Sequence, residues 1–266
     1  MKNIILNEKE MLDDILNNGA IDQKKPSRTL GLLIRHYILQ GKDKDEIYKL
    51  CDKFMEDNFD NYIKTKWTSF IKEMINSISG FKRLHNIVNV DKIVIMEEEW
   101  EAICKLNDKK LEKIAFITLV YKKCLDIKAE GDDCWVNVDM LDILQEALNR
   151  RKQDEKILFG LLTKLGYIET GRACDTKGFK ITYCYNEGIP KFIIDDFDKV
   201  IHYYNQYRFN WKYIKCTNIK EDGKPCNTWE KISKHASIDN TKYCKKCANK
   251  IRNKKIAEIN RRNRNK

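Results

Sequence analysis

Four cysteines near the end of the chain, Cys216, Cys226, Cys244 and Cys247, constrain the fold more than any other feature. Thiolates that share one ion force the segment between them into a small closed module. Their intervening lengths are 9, 17 and 2 residues. The run Cys244-Lys245-Lys246-Cys247 has the two-residue spacing that lets two sulfurs reach one tetrahedral ion at about 2.3 Å. The first pair is longer, and its nine intervening residues include Asp222-Gly223-Lys224-Pro225, turn formers that fold the segment into a hairpin and return Cys226 to Cys216. His235 is the competing ligand, replacing Cys216 or Cys226 if that hairpin does not close. A four-cysteine site leaves no position for water, so the expected Zn2+ is structural and contributes folding energy.

Ten cysteines in a secreted chain would point to disulfides. Met1 to Ala20 is too charged for a secretory leader, and the longest apolar run, around Ile114 to Tyr121, falls well short of the roughly 18 residues of a membrane-spanning helix. The expectation is a cytoplasmic protein with reduced thiols and no membrane contact. The abundance of lysine, isoleucine and asparagine is that of AT-rich bacterial genomes and their phages, a hint of origin from which a bacterial host cell is the expectation. The other six cysteines, Cys51, Cys104, Cys124, Cys134, Cys174 and Cys184, sit in apolar or mixed segments and read as small core hydrophobes.

Charge is distributed as unevenly as cysteine. Residues 1–200 hold 33 Lys+Arg against 35 Asp+Glu, whereas residues 201–266 hold 18 against 5, so the two parts carry −2 and +13. Lys245, Lys246, Lys250, Arg252, Lys254, Lys255, Arg261, Arg262 and Arg264 crowd the last stretch, opposed by the single Glu258. Such asymmetry points to a polyanion, because basic side chains that neutralise phosphates gain from counterion release. A solubilising tail is the plainer reading. Nucleic acid is the expected partner, DNA ahead of RNA, with largely sequence-independent and salt-sensitive contacts.

The 266 residues accommodate about two domains at roughly 100–200 residues each. Residues 1–80 read as a helical bundle. Ile4 to Asn17 is amphipathic, Ser27 can cap a helix through Gln40 with Leu30, Leu33, Ile34, Tyr37 and Ile38 on one face, and Gly41 ends it. Further helices carry Ile47, Leu50, Cys51 and Met55, then Trp67, Phe70, Ile71, Met74 and Ile75. The pattern Leu30, Leu33, Tyr37, Gly41, Asp45-Glu46-Ile47, Ile71 and Ile75 resembles the helical module near the C-termini of primases and related plasmid and phage replication proteins. That resemblance spans about 55 residues, rests on spacing, and implies a replication or host protein as partner of this bundle.

A linker at 81–90 leads to a second region, 91–188. Helices at 97–104 and 111–124 precede a turn at Gly131-Asp132-Asp133 and a short strand, Cys134 to Val138. Asp139 can cap a helix from Met140 to Arg150, and a helix from Gln153 to Leu165 buries Ile157, Leu158, Leu161, Leu162 and Leu165. Tyr167 to Thr170 and Phe179 to Tyr185 alternate as a hairpin. The order resembles a winged helix-turn-helix, most visibly in Leu161-Leu162 followed by Lys164-Leu165-Gly166-Tyr167-Ile168-Glu169, and is similar to winged-helix modules of phage replisome organisers and initiators. The resemblance implies that Arg150, Arg151 and Lys152 meet DNA at the start of the recognition helix, and that Arg172, Lys177 and Lys180 do so from the wing. Asp154 and Glu155 oppose this, and a winged helix used for protein contacts is the other reading.

Residues 189–206 read as a connecting helix in which Phe192, Ile193, Ile194, Phe197, Val200 and Ile201 pack. Asp195, Asp196, Asp198 and His202 there fit a solvated helix face better than a divalent-metal cluster. Residues 207–249 form the cysteine module, which resembles a zinc ribbon with an enlarged first knuckle, and 250–266 a basic tail. At its start Tyr207, Phe209, Trp211 and Tyr213 alternate with polar residues as in a strand; they serve either as a platform for unpaired bases or as core. No phosphate-cradling glycine loop, nucleophile elbow or helix-borne zinc-protease motif occurs. The expectation is a mainly α, non-enzymatic nucleic-acid-binding protein acting in replication initiation or replisome loading. The alternatives are a transcriptional regulator and an inhibitor of a host nucleoprotein complex.

Overall fold

Apolar residues recur at helical spacing through most of the chain, and the computed structural model is accordingly mainly helical, with ten helices and six short strands among the described residues. The structure describes residues 5–80, 84, 86–129, 135–150, 156–171, 178–220, 223–233, 236–237 and 241–264, without the side chains of 263 and 264. They fall into two compact units divided between Asp195 and Asp196.

In the first unit, α1 (Glu8–Asn18), α2 (Pro26–Leu39), α3 (Lys44–Asn58) and α4 (Lys64–Ser79) pack around Ile15, Leu30, Leu33, Ile47, Met55 and Ile71. Asp43 caps α3 by accepting the Glu46 N–H at 2.8 Å. Ser27 does not cap α2. The helix starts one residue earlier, at Pro26, whose fixed φ suits the first helical position and whose missing N–H leaves one donor fewer to satisfy. The segment before β1 runs beside the N-terminus, with the Val90 N–H donating to the Leu6 carbonyl at 2.7 Å.

The same unit continues through β1 (Ile93–Met96), α5 (Glu97–Lys105), α6 (Lys109–Ala129), α7 (Met140–Leu148), α8 (Lys156–Lys164), β2 (Ile168–Thr170), β3 (Phe179–Ile181) and β4 (Pro190–Ile194). Helix α6 is its axis. Its run from Ile114 to Tyr121 is buried on every side, as expected of a helix apolar all round. Two buried carboxylates tie the elements to it. Glu8 accepts both Arg35 (2.6 Å) and Lys128 (2.5 Å). Glu99 holds Lys123 of α6 (2.8 Å) and accepts the N–H groups of Met96 (2.8 Å) and Tyr185 (2.7 Å). Asp139 caps α7 by accepting the Leu141 N–H at 2.8 Å. Strands β2 and β3 pair antiparallel with Ile168 opposite Ile181, and Val136 adds a bridge to Phe179.

The reading of 189–206 as a connecting helix is corrected at its start. Pro190–Ile194 is strand β4, antiparallel to β1, with Ile95 opposite Phe192 and Ile93 opposite Ile194. Phe192 and Ile194 are buried while Lys191 and Ile193 face solvent, a period of two that the apolar run concealed. Pro190, which has no N–H to give a ladder, begins the strand.

The second unit contains α9 (Ile201–Phe209), β5 (Lys212–Lys215), β6 (Trp229–Ile232) and α10 (Lys245–Arg264). Strands β5 and β6 pair antiparallel, Ile214 opposite Glu230. Tyr207 and Phe209 therefore end a helix, and the expected strand begins only at Lys212. Asn210 turns the chain between them in the left-handed region, φ +53°.

Candidate metal centre

The sulfurs of Cys216, Cys226, Cys244 and Cys247 all lie within 4.8 Å of one another. A tetrahedral ion with metal–sulfur bonds of about 2.3 Å needs sulfur–sulfur edges of about 3.8 Å, and the Cys226 sulfur stands 3.6 Å from Cys247 and 4.0 Å from Cys244. All four are free thiols. Cys216, Cys244 and Cys247 are buried and Cys226 half-buried. These four residues could hold a metal ion, and no other such group of histidines, cysteines and carboxylates occurs among the described residues.

Each cysteine is placed by local backbone. Cys216 follows β5 and donates its N–H to the Thr228 carbonyl (2.9 Å). The long first loop closes as its turn formers required. The Cys226 N–H meets the Asn218 carbonyl (2.7 Å), Ile219 bridges Pro225, and the Lys220 N–H meets the Lys224 carbonyl (2.8 Å). Gly223 sits at the tip with φ +76°, where a side chain would be strained. Cys244 immediately precedes α10 and Cys247 lies in its first turn, so the positive end of the helix dipole faces both sulfurs. His235 lies outside the described residues, and the four-sulfur set is complete without it.

Three polar residues that sequence reading passed over finish the site. The Thr228 hydroxyl lies 3.1 Å from the Cys226 sulfur, and its hydroxyl and backbone N–H hold that thiol down at about 6. Burial, followed by the neighbouring sulfurs, pushes Cys247 up to about 12. Asn218 donates its amide to the Cys247 sulfur at 3.4 Å. Glu230 on β6 accepts the Lys245 N–H at 2.7 Å and so holds the first turn of α10.

The aromatics before β5 pack against one another, with Tyr204 in the core and Phe209, Trp211 and Tyr213 half-buried. Tyr204 is fully buried against Phe209, Phe209 meets Trp211, Trp211 meets Tyr213, and His202 lies 4.2 Å from Tyr213 and 5.6 Å from Trp229. Only Tyr207 of the four alternating aromatics is exposed. Asp196 and Asp198 share Lys215, at 3.6 Å for Asp198, which offsets part of the acidic run.

Among the residues expected to meet nucleic acid, Lys245, Lys246, Lys250, Arg252, Lys254, Lys255, Arg261 and Arg262 are all exposed on α10, and Arg264 ends that helix. The helix runs about 30 Å and, past Cys247, only Ile251 is partly covered among its described side chains. Arg150 is exposed after α7, and Lys180 on β3 holds its ammonium 5.5 Å from the Trp135 ring centre. Arg151, Lys152, Arg172 and Lys177 lie outside the described residues. Helix α8 is rotated from its expected phase. Phe159, packed on Phe179, and Leu162 point inward, while Ile157, Leu161 and Leu165 are 68%, 41% and 55% exposed. The bulkier ring takes the inward place that the aliphatic pattern had assigned to its neighbours.

No protein-family model matches the chain, and neither a curated protein nor a solved structure is measurably similar to it. Among the described residues no helix is long and apolar enough to cross a membrane. The class that fold and site define is a mainly helical protein with a four-cysteine, metal-competent centre at the base of a basic helix.

Proposed function

We propose that this protein binds nucleic acid, without enzymatic activity of its own, as a phage or mobile-element protein of DNA replication initiation or replisome loading. The observation that carries the reading is α10: nine Lys and Arg against one Glu on a helix exposed along almost all of its length. A helix this charged, whose Ile256 and Ile259 are exposed, has little core to hold it, so it needs an anchor and a partner. The four cysteines supply the anchor, a zinc-ribbon-like centre with structural Zn2+, and a phosphate backbone supplies a partner of the right charge.

The element order α6, Val136 bridge, α7, α8, β2, β3 supports a winged helix in the first unit. Its exposed α8 face is aliphatic, which favours contact with a protein over readout of base edges, since neither isoleucine nor leucine can bond the polar groups of a groove. In this reading the winged helix takes the protein-contact role, in place of the DNA contacts its resemblance implies, and joins the helical bundle in recruiting a replication protein, while the second unit grips DNA. Gel-shift titration of duplex and single-stranded DNA at several salt concentrations tests it. Affinity should fall steeply with salt, and absence of binding at low-millimolar salt would sink the proposal.

A further inference from the structure

Above Cys226, Cys244 and Cys247, which form its floor, the second unit leaves a cleft of about 600 Å³. One wall is the loop carrying Asn218, Ile219 and Lys220, and the other is the outer face of α10. Lys246, Lys250 and Lys254 line the helical wall at every fourth residue, stacked on one face with a rise of about 6 Å between them. Lys220 faces them from the loop. Two aliphatic side chains, Ile219, which is 69% exposed, and Ile251, complete the lining apolar surface. Glu230 is the one carboxylate in the lining among the described residues, and it already holds Lys245 through both backbone N–H (2.7 Å) and ammonium (3.5 Å). Lys246 and Lys250 pair with no carboxylate among the described residues.

A two-walled cleft of this size is a mononucleotide's space and not a duplex's. Stacked bases inside a duplex could not reach Ile219, whereas an unpaired base has a free face for apolar contact and leaves its phosphate to the lysines. The lysines recur along α10 at about the repeat of one nucleotide in an extended strand. We propose that this cleft seats one unpaired nucleotide of single-stranded nucleic acid, its phosphate between Lys220 and Lys250 and its base against Ile219 and Ile251. This rests on the nucleic-acid-binding reading above. It adds that the protein prefers single strands to duplexes. The competing role for these lysines is to offset the net negative charge of four thiolates around a divalent ion.

Fluorescence anisotropy on the full-length, metal-loaded protein tests the inference with three probes: a 20-nucleotide DNA strand, the same sequence as RNA, and the 20-base-pair duplex. The unmodified protein should bind the single strands at least tenfold tighter than the duplex, with the two single-strand arms reporting which backbone is preferred. Ile219→Asp, on an exposed side chain, should abolish that preference and leave duplex affinity unchanged. Lys220→Ala with Lys250→Ala should flatten the salt dependence of single-strand binding by about 0.7 in log–log slope, the share of the one phosphate they hold. Arg261→Ala with Arg262→Ala should weaken all probes alike. If the arginine pair weakens binding while Ile219→Asp and the lysine pair do not alter single-strand affinity, the nucleic-acid reading stands and the cleft is refuted. Lysine variants that release metal yet bind single strands normally would also overturn it, and no binding of any probe would remove both readings together.

Discussion

With the proposed ion held by the four cysteines, stripping it should unfold the second unit and leave the first folded. Apart from the cysteines, the apolar side chains that are more than nine-tenths buried in that unit are Val200, Tyr204 and Ile214 among the described residues. At about 2 kcal/mol for each fully buried side chain they contribute about 6 kcal/mol. A structural four-ligand zinc site supplies about 10–16 kcal/mol near neutral pH, more than those three side chains together. Without it, four thiols would sit within 4.8 Å of one another with no ion to satisfy them. The first unit has its own core around α6 and its own buried ion pairs.

The measurement is hydrogen exchange with limited proteolysis, before and after dialysis against a chelator under reducing conditions. Amides of β5, β6 and the first turns of α10 should lose protection, and cleavage sites should appear beyond Asp196, while α6 exchanges at its original rate. Restoring about one equivalent of zinc should reverse both changes. A metal-free protein that keeps protection in β5 and β6 would refute the argument, because the aromatic core would then suffice alone.

Three other outcomes follow from single features. Glu99→Ala removes the carboxylate that pairs Lys123 and caps two backbone N–H groups in a fully buried setting, so urea unfolding of the first unit should lose roughly 3–5 kcal/mol, and a loss under about 1 kcal/mol would contradict the buried network. Burial, with Lys199 nearby, holds His202 down at about 4, below its ordinary 6.5. Its neutral form is the folded one, so its contribution is full above pH 6.5 and is lost as pH falls towards 4. With partial exposure discounted, pH 5 should cost about 1–2 kcal/mol relative to pH 7, an increment that His202→Phe, compared with the unmodified protein in paired denaturation curves, should erase. Finally, the exposed far end of α10 is a marginal helix by itself, so ellipticity at the helical minimum should deepen on adding single-stranded DNA; an unchanged spectrum at saturation would mean the helix is already complete.

The metal-competent centre was legible in sequence because its determinants are local. The spacing of Cys244 and Cys247 is a chemical constraint, and the Gly223-Lys224-Pro225 turn that returns Cys226 to Cys216 is a backbone one. The β2–β3 hairpin was legible for the same reason. Pairs distant along the chain were not. Ile93–Met96 is four residues long, and its partner at Pro190–Ile194 lies nearly a hundred residues on, inside an apolar run that suits helix and strand equally. The phase of α8 was misread because aliphatic spacing cannot rank Phe159 above Ile157 without knowing that Phe179 waits across the core. Nor can sequence choose Glu99 from Glu97-Glu98-Glu99, since packing alone decides which of three neighbouring carboxylates meets Lys123. Thr228, two residues past Cys226, was the nearest to a readable signal among the supporting residues.

The same locality would make the proposed metal and nucleic-acid sites interdependent. Lys246 lies between Cys244 and Cys247, Lys220 sits in the loop that their partner Cys226 closes, and the rest of α10 extends from the turn that Cys247 fixes. An ion at the centre would touch no phosphate, yet it would set the distance between the two lysine walls and the direction in which the basic helix leaves them. Charge alone survives loss of the ion, because the lysines and arginines remain on an unfolded segment. Geometry does not. Non-specific, salt-sensitive affinity should therefore outlast chelation, while any preference for single strands should disappear with the metal, separating what the basic composition contributes from what the folded cleft contributes.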